Sequence, residues 1–206
     1  MRSEDSGFTW IPDGSKLDSI NDPHVCSLLV SDGSFGRTFY ISTSSPARIY
    51  CRAEREDEWR KCFTDPLKVW NRELPLITKW GKQLVACVAS GPHGSLEKIY
   101  LSDNDGANWR GIICPFNIWG AGVNASDPKT MWVGNYGTWL KTKDTIALQY
   151  TQDEGRTWHS IPNCGAQYFW QLQVLADSTL YAATDFGLMR VKLNSPAFLR
   201  RGLVGG

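Results

Sequence analysis

Any chemistry in this 206-residue chain has to come from three histidines, six cysteines, scattered carboxylates and an unusual number of aromatic rings. Spacing separates these sources. His24, His93 and His159 show none of the short intervals that hold a metal, and each reads as a surface or loop residue. The cysteines, at 26, 51, 62, 87, 114 and 164, form no C-x-x-C pair and no Cys/His ligand set. No metal site and no cofactor is expected. Cys51 and Cys62 flank one segment and could be bridged. Six reduced, half-buried thiols serving as small apolar side chains are the other reading, and intermolecular disulfides a third. The aromatic rings offer a different chemistry. Trp70, Trp119 and Trp170 recur at intervals of 49 and 51 residues. With His93, Tyr136, Asp185 and Phe186 they form a candidate binding set, able to stack on a sugar or clasp a protein segment. The competing reading is that these tryptophans pack sheet against sheet, as a residue so often buried does.

A second tryptophan series shows what must position these side chains. Trp10, Trp59, Trp109 and Trp158 are separated by 49, 50 and 49 residues. Three of them end the same motif, S/T-x-D/N-x-G-x-T/N-W: Ser3, Asp5, Gly7 and Trp10; Ser102, Asn104, Gly106 and Trp109; Thr151, Asp153, Gly155 and Trp158. The copy before Trp59, Arg52–Glu58, keeps an acid at Glu54 but lacks the hydroxyl and the glycine. Such a motif reads as a hairpin turn. The Asp or Asn oxygen accepts from backbone N–H groups, Gly takes a positive φ, the hydroxyl adds a local bond, and Trp plugs the space between adjacent units. A Cys51–Cys62 bridge would replace the turn bonds lost in the degenerate copy. Apolar, β-branched and aromatic runs recur in phase with the turns: Arg37–Ser42, Gln83–Val88, Thr130–Gly137 and Leu180–Gly187. Ten Trp beside nineteen Gly and ten Pro suit many short strands joined by tight turns, so the fold class is all-β.

The turn motif resembles the Asp-box, or BNR repeat, of sialidases, sortilin-type receptors, xyloglucan-hydrolysing enzymes and photosystem II assembly factors. The resemblance implies a β-propeller. At this length it is a small one of about four four-stranded blades, A to D, with the box in each C–D turn. In the third unit the strands fall at Asn117–Val123, Met131–Gly134, Ala147–Tyr150 and Thr157–Ile161. The last unit supplies Phe169–Leu175, Leu180–Thr184 and Leu188–Leu193 and then ends without a box. The chain begins with a box and a lone strand, Thr9–Ile11, so the N-terminal strand is expected to pair with the C-terminal blade and close the ring. A single domain over 1–195 and a tail over 196–206 follow.

In such propellers the C–D turns lie on one face and the D–A and B–C loops surround the opposite mouth. The resemblance therefore gives the boxes a structural role and places the candidate binding set at the mouth. It implies no catalytic residue. Sialidases carry an early Arg-Ile-Pro, whereas Arg48-Ile49 here is followed by Tyr50. The expected function is a non-enzymatic protein-binding or assembly module, for example a component of a multi-protein particle such as a viral tail or neck. A carbohydrate-binding lectin or a reduced sialidase-like hydrolase is the alternative. A protein partner or a homo-oligomer is expected, with a glycan as a further ligand class. Twenty-two basic against twenty-one acidic residues leave a charge of +1, which gives nucleic acid no electrostatic footing. No apolar run is long enough to cross a bilayer, and the N-terminus has no signal-peptide pattern. A cytoplasmic or virion-associated location is expected over classical secretion.

Overall fold

The computed structural model describes residues 3–11, 24–33, 36–44, 47–66, 72–90, 97–114, 118–123, 127, 129–135, 148–161, 166, 168–175 and 179–192. Trp70, His93, Tyr136, Cys164 and the tail 196–206 lie outside them. The described residues form strands and turns arranged as four antiparallel meanders. The first runs β1 (His24–Gly33), β2 (Gly36–Ser44), β3 (Arg48–Ala53) and β4 (Arg60–Thr64). The second is β5 (Arg72–Trp80), β6 (Gln83–Ser90), β7 (Glu97–Ser102) and β8 (Arg110–Ile113), paired in register with the first at Ser44 and Glu73. The third is β9 (Ile118–Val123), β10 (Met131–Asn135), β11 (Leu148–Thr151) and β12 (His159–Ile161). The fourth is β13 (Phe169–Val174), β14 (Thr179–Thr184) and β15 (Gly187–Lys192).

Period-two alternation explains how the sheets stack. In β6 every residue from Leu84 to Ala89 is buried, as a strand covered on both faces must be. Leu84, Ala86 and Val88 point to one side, where they meet Tyr40, Ile49, Cys51 and Phe63 of the first sheet. Val85 and Cys87 point to the other and meet Ile118, Ala121, Met131 and Val133 of the third. Trp132, between Met131 and Val133, faces the opposite way and joins Phe169, Leu172, Val174 and Leu180 of the fourth sheet. The sheets thus pack face to face in chain order.

Close approach of the last two sheets depends on glycine. A Cβ on Gly134 of β10 would lie 2.2 Å from the Phe169 Cβ, and Cβ atoms on Gly122 and Gly120 of β9 would come within 3.0 and 3.1 Å of β13. The inner strands β1, β5, β9 and β13 touch one another in that order. No contact of comparable extent joins the first and fourth sheets among the described residues.

The N-terminal segment differs in two respects from its expected form. Residues 3–11 make the turn, with Ile11 in an isolated bridge rather than in a strand. Trp10 remains 57% exposed instead of plugging a space between units. The physical reason is local: among the described residues, a side chain on Gly7 would meet within 4 Å only Trp10 of its own turn, and no neighbouring sheet backs it.

Candidate functional site

The three intact turns share one hydrogen-bond plan. In the last, the Thr151 hydroxyl donates to Asp153 Oδ1 (2.8 Å) and accepts from Gly155 N (2.9 Å); Asp153 accepts from Thr157 N (2.8 Å) and Thr157 Oγ1 (2.6 Å). Ser3, Asp5, Gly7 and Thr9 repeat this arrangement, and Ser102, Asn104, Gly106 and Asn108 repeat its backbone part. Glycine has φ of 94°, 86° and 85° at the three sites, as expected. The residue before it, Ser6, Asp105 or Glu154, is also left-handed, at 60°, 52° and 62°. Sequence reasoning missed this strain, because only Asp105 is of a type that tolerates that region well. Donation by the Thr9 and Thr157 hydroxyls, then by their backbone N–H groups, holds the Asp5 and Asp153 carboxyls down at about 2.

Two of the turns clasp the sheet before them. Trp109 Nε1 donates to its own Gly106 carbonyl (3.1 Å) and to the Cys62 carbonyl on β4 (3.0 Å), and its ring centroid lies 5.3 Å from that of Phe63. Gly106 faces the Cys62 sulfur, and Gly155 faces Ile112 on β8. The degenerate turn works otherwise. Glu56, not Glu54, supplies the capping carboxylate by accepting from Ala53 N at 3.1 Å, and Glu54 pairs with Arg37 at 2.7 Å. The Arg52 guanidinium lies 5.1 Å over the Trp59 ring.

Register fixes where the candidate binding residues lie. Phe169 pairs with Thr184, and Ile118 with Asn135, so Trp119, Trp170 and the 185–186 turn share one end of the last two sheets. Thr151 pairs with Met131, which puts the box turn at the other end. At the first end the Trp119 and Trp170 rings meet edge to face, centroids 6.3 Å apart, and Tyr168 lies parallel to Trp170 at 5.9 Å. Asp185 anchors the group: its Oδ1 accepts from Tyr168 N (3.2 Å), and its own N–H donates to the Tyr168 carbonyl. Trp170 is 42% and Phe186 74% exposed. The arrangement is a solvent-facing aromatic group on a rigid sheet end, suited to stacking and apolar contact. Tyr168 was not among the candidates, although its place two residues before Trp170 puts it on the same side of an extended segment. Arg48, the first residue of β3, donates to Tyr50 Oη at 3.3 Å. Among the described residues no group of three or more His, Cys, Asp or Glu side chains could hold a metal ion, and no helix is long and apolar enough to cross a membrane.

No protein-family model matches the sequence, and no curated protein matches it. Solved structures do. A GH74 enzyme of Niastella koreensis superimposes over 84% of this chain and 30% of its own, with 13% identity and a TM-score of 0.63. The nidogen/laminin complex contains a chain similar over 84% of this one and 62% of its own, at 13% identity and TM-score 0.62. YCF48 from Cyanidioschyzon merolae matches over 80% and 50%, at 13% identity and TM-score 0.53. The chain therefore spans between 30% and 62% of the length of these structures. Likeness at this identity concerns the fold, which is all-β and β-propeller-like.

Proposed function

We propose that the chain is an Asp-box propeller module that binds a protein partner in an assembly, through the aromatic end of its last two sheets. The observation that carries this is the exposed Trp170 and Phe186 beside Trp119 and Tyr168, at the end opposite the box turns. Exposed aromatic residues on a rigid frame are the composition of binding hot spots, since they bring large contact area at little entropic cost. One of the similar structures, nidogen in complex with laminin, supports the protein-binding reading by analogy of fold. The shared hydrogen-bond plan of the three turns supports the Asp-box reading. In the same proposal, segment 3–11 supplies the strand that follows β15, because its box is the one whose Trp has no sheet behind it among the described residues. Trp70, His93 and Tyr136 belong to this binding set by their spacing in the sequence.

Quantitative affinity capture from the source cell tests the proposal, comparing wild type with Trp170→Ala and Phe186→Ala on the same beads. A specific protein captured by wild type and lost in both variants, with melting temperatures unchanged, is the expected result. Equal capture by all three refutes the assignment of the surface. A glycan array on which wild type binds and both variants fail would transfer the site to the carbohydrate class.

A further inference from the structure

Cys51 and Cys62 stand on neighbouring strands of the first sheet, one residue before and three after the degenerate turn segment that ends in Trp59. Cys51 pairs with Arg60 and Tyr50 with Lys61, but Ile49 pairs with Phe63, so Cys62 is the extra residue of a β-bulge. Both side chains pack on the same core cluster, and the Cys62 thiol donates to the carbonyl of Ile49, two residues before Cys51, at 3.5 Å. Their burial differs: Cys51 is fully buried and Cys62 half-buried.

We propose that Cys51 and Cys62 form a reversible cross-strand disulfide that fastens the one hairpin whose turn lacks the Ser, Asp and Gly of its three counterparts. The oxidant is a small disulfide such as glutathione disulfide. The sulfur of half-buried Cys62, once deprotonated, attacks one glutathione sulfur, forming a mixed disulfide and expelling glutathione thiolate. The Cys51 thiolate then attacks the Cys62 sulfur and expels the second glutathione. Two thiols become one disulfide, and the two electrons and two protons end on two glutathione molecules. Interaction with Cys62 lowers the Cys51 thiol and so favours the thiolate needed in the second step; the same interaction, then burial, raises Cys62, which makes loss of the Cys62 proton the slow part of the first step.

The position gives the bond a consequence outside its own hairpin. The Cys62 carbonyl accepts from the Trp109 indole, and its sulfur faces Gly106, so Cys62 is the seat on which the turn of the second sheet rests. Oxidation stiffens that seat. The other close thiols in the described residues, Cys87 and Cys114, are both fully buried in the next core, where burial pushes Cys87 up and an oxidant has no approach.

The test uses the whole chain in a Cys26→Ser, Cys164→Ser background, equilibrated across glutathione ratios, acid-trapped and mapped by mass spectrometry. A Cys51–Cys62 peptide pair lighter by about 2 Da is expected, with Cys87 and Cys114 still alkylated as thiols. The oxidised form should melt about 5–10 °C above the reduced form, and Cys62→Ser, at the half-buried site, should abolish the difference. Cys62 held as a stable glutathione adduct overturns the proposal, as does its pairing with a second chain, or a melting temperature indifferent to oxidation when the linked peptide is present.

Discussion

Replacing Gly134 with alanine tests the packing of the third sheet on the fourth. The new Cβ would stand 2.2 Å from Phe169 Cβ and 2.9 Å from Phe169 Cγ. Packed carbons sit about 3.5–4.0 Å apart, so β10 and β13 must separate locally by roughly 1.3 Å. Rotating the phenyl ring gives no relief, because the nearer atom is the Cβ, fixed to the backbone. The separation would be felt across the cluster of Trp132, Phe169, Leu172, Val174 and Leu180. Overpacking costs about 1–3 kcal/mol in most sites, and a contact that only backbone can release belongs at the upper end, about 3 kcal/mol. For a chain of this length that is a fall in melting temperature of about 6–12 °C. Gly122→Ala and Gly120→Ala, with contacts of 3.0 and 3.1 Å, should each cost nearer 1 kcal/mol. Thermal and urea unfolding of the three variants, followed by circular dichroism, gives the comparison. Adding Phe169→Ala to Gly134→Ala should not restore stability, since it removes Cγ but keeps the Cβ. Gly134→Ala melting within about 1 °C of wild type, or above Gly120→Ala, refutes the reasoning.

The box turns give further tests. Ser102→Ala leaves the buried Gly106 N–H without its acceptor and should cost about 1–2 kcal/mol, whereas Ser3→Ala in the exposed turn should cost under about 0.5 because water replaces the hydroxyl; urea midpoints decide. Asp5 and Asp153, depressed to about 2, should show carboxyl carbon midpoints near that value by NMR. Their folded values lie below the unfolded one, so their stabilisation is fully present above about pH 4 and is lost as pH falls through about 2. Asp5→Asn and Asp153→Asn should flatten that acid limb; an unchanged limb counts against it. Trp170→Ala should lower the melting temperature by less than about 3 °C, since the ring is 42% exposed, and a larger fall would make it a core residue rather than a contact surface.

Much of the frame was legible because it repeats. Strands expected at Asn117–Val123 and Phe169–Leu175 are seen at Ile118–Val123 and Phe169–Val174, since periodic apolar runs between glycine turns leave little choice of register. The Trp109 and Trp158 turns also lie against the preceding sheets as read from spacing. Trp10 does not, because spacing reports which residues are equivalent and not whether a neighbouring sheet is there to receive them. Likewise Glu54 occupied the acid position of the degenerate turn, yet chain geometry without the glycine gave the capping role to Glu56. Of the binding set, Trp119 and Trp170 are in ring contact, but Tyr168 became visible only when β13 was seen to carry both rings at one end.

The backward reach of Trp109 onto β4, and of the Gly155 turn onto β8, makes the molecule a row of clasps that all close in one direction. The first and second sheets are thus each held by the turn of their successor, so each of these junctions rests on contacts the other does not share. Among the described residues β12 receives no such clasp, and the third sheet is joined to the fourth instead by the close approach of β9 and β10 to β13 that its glycines allow.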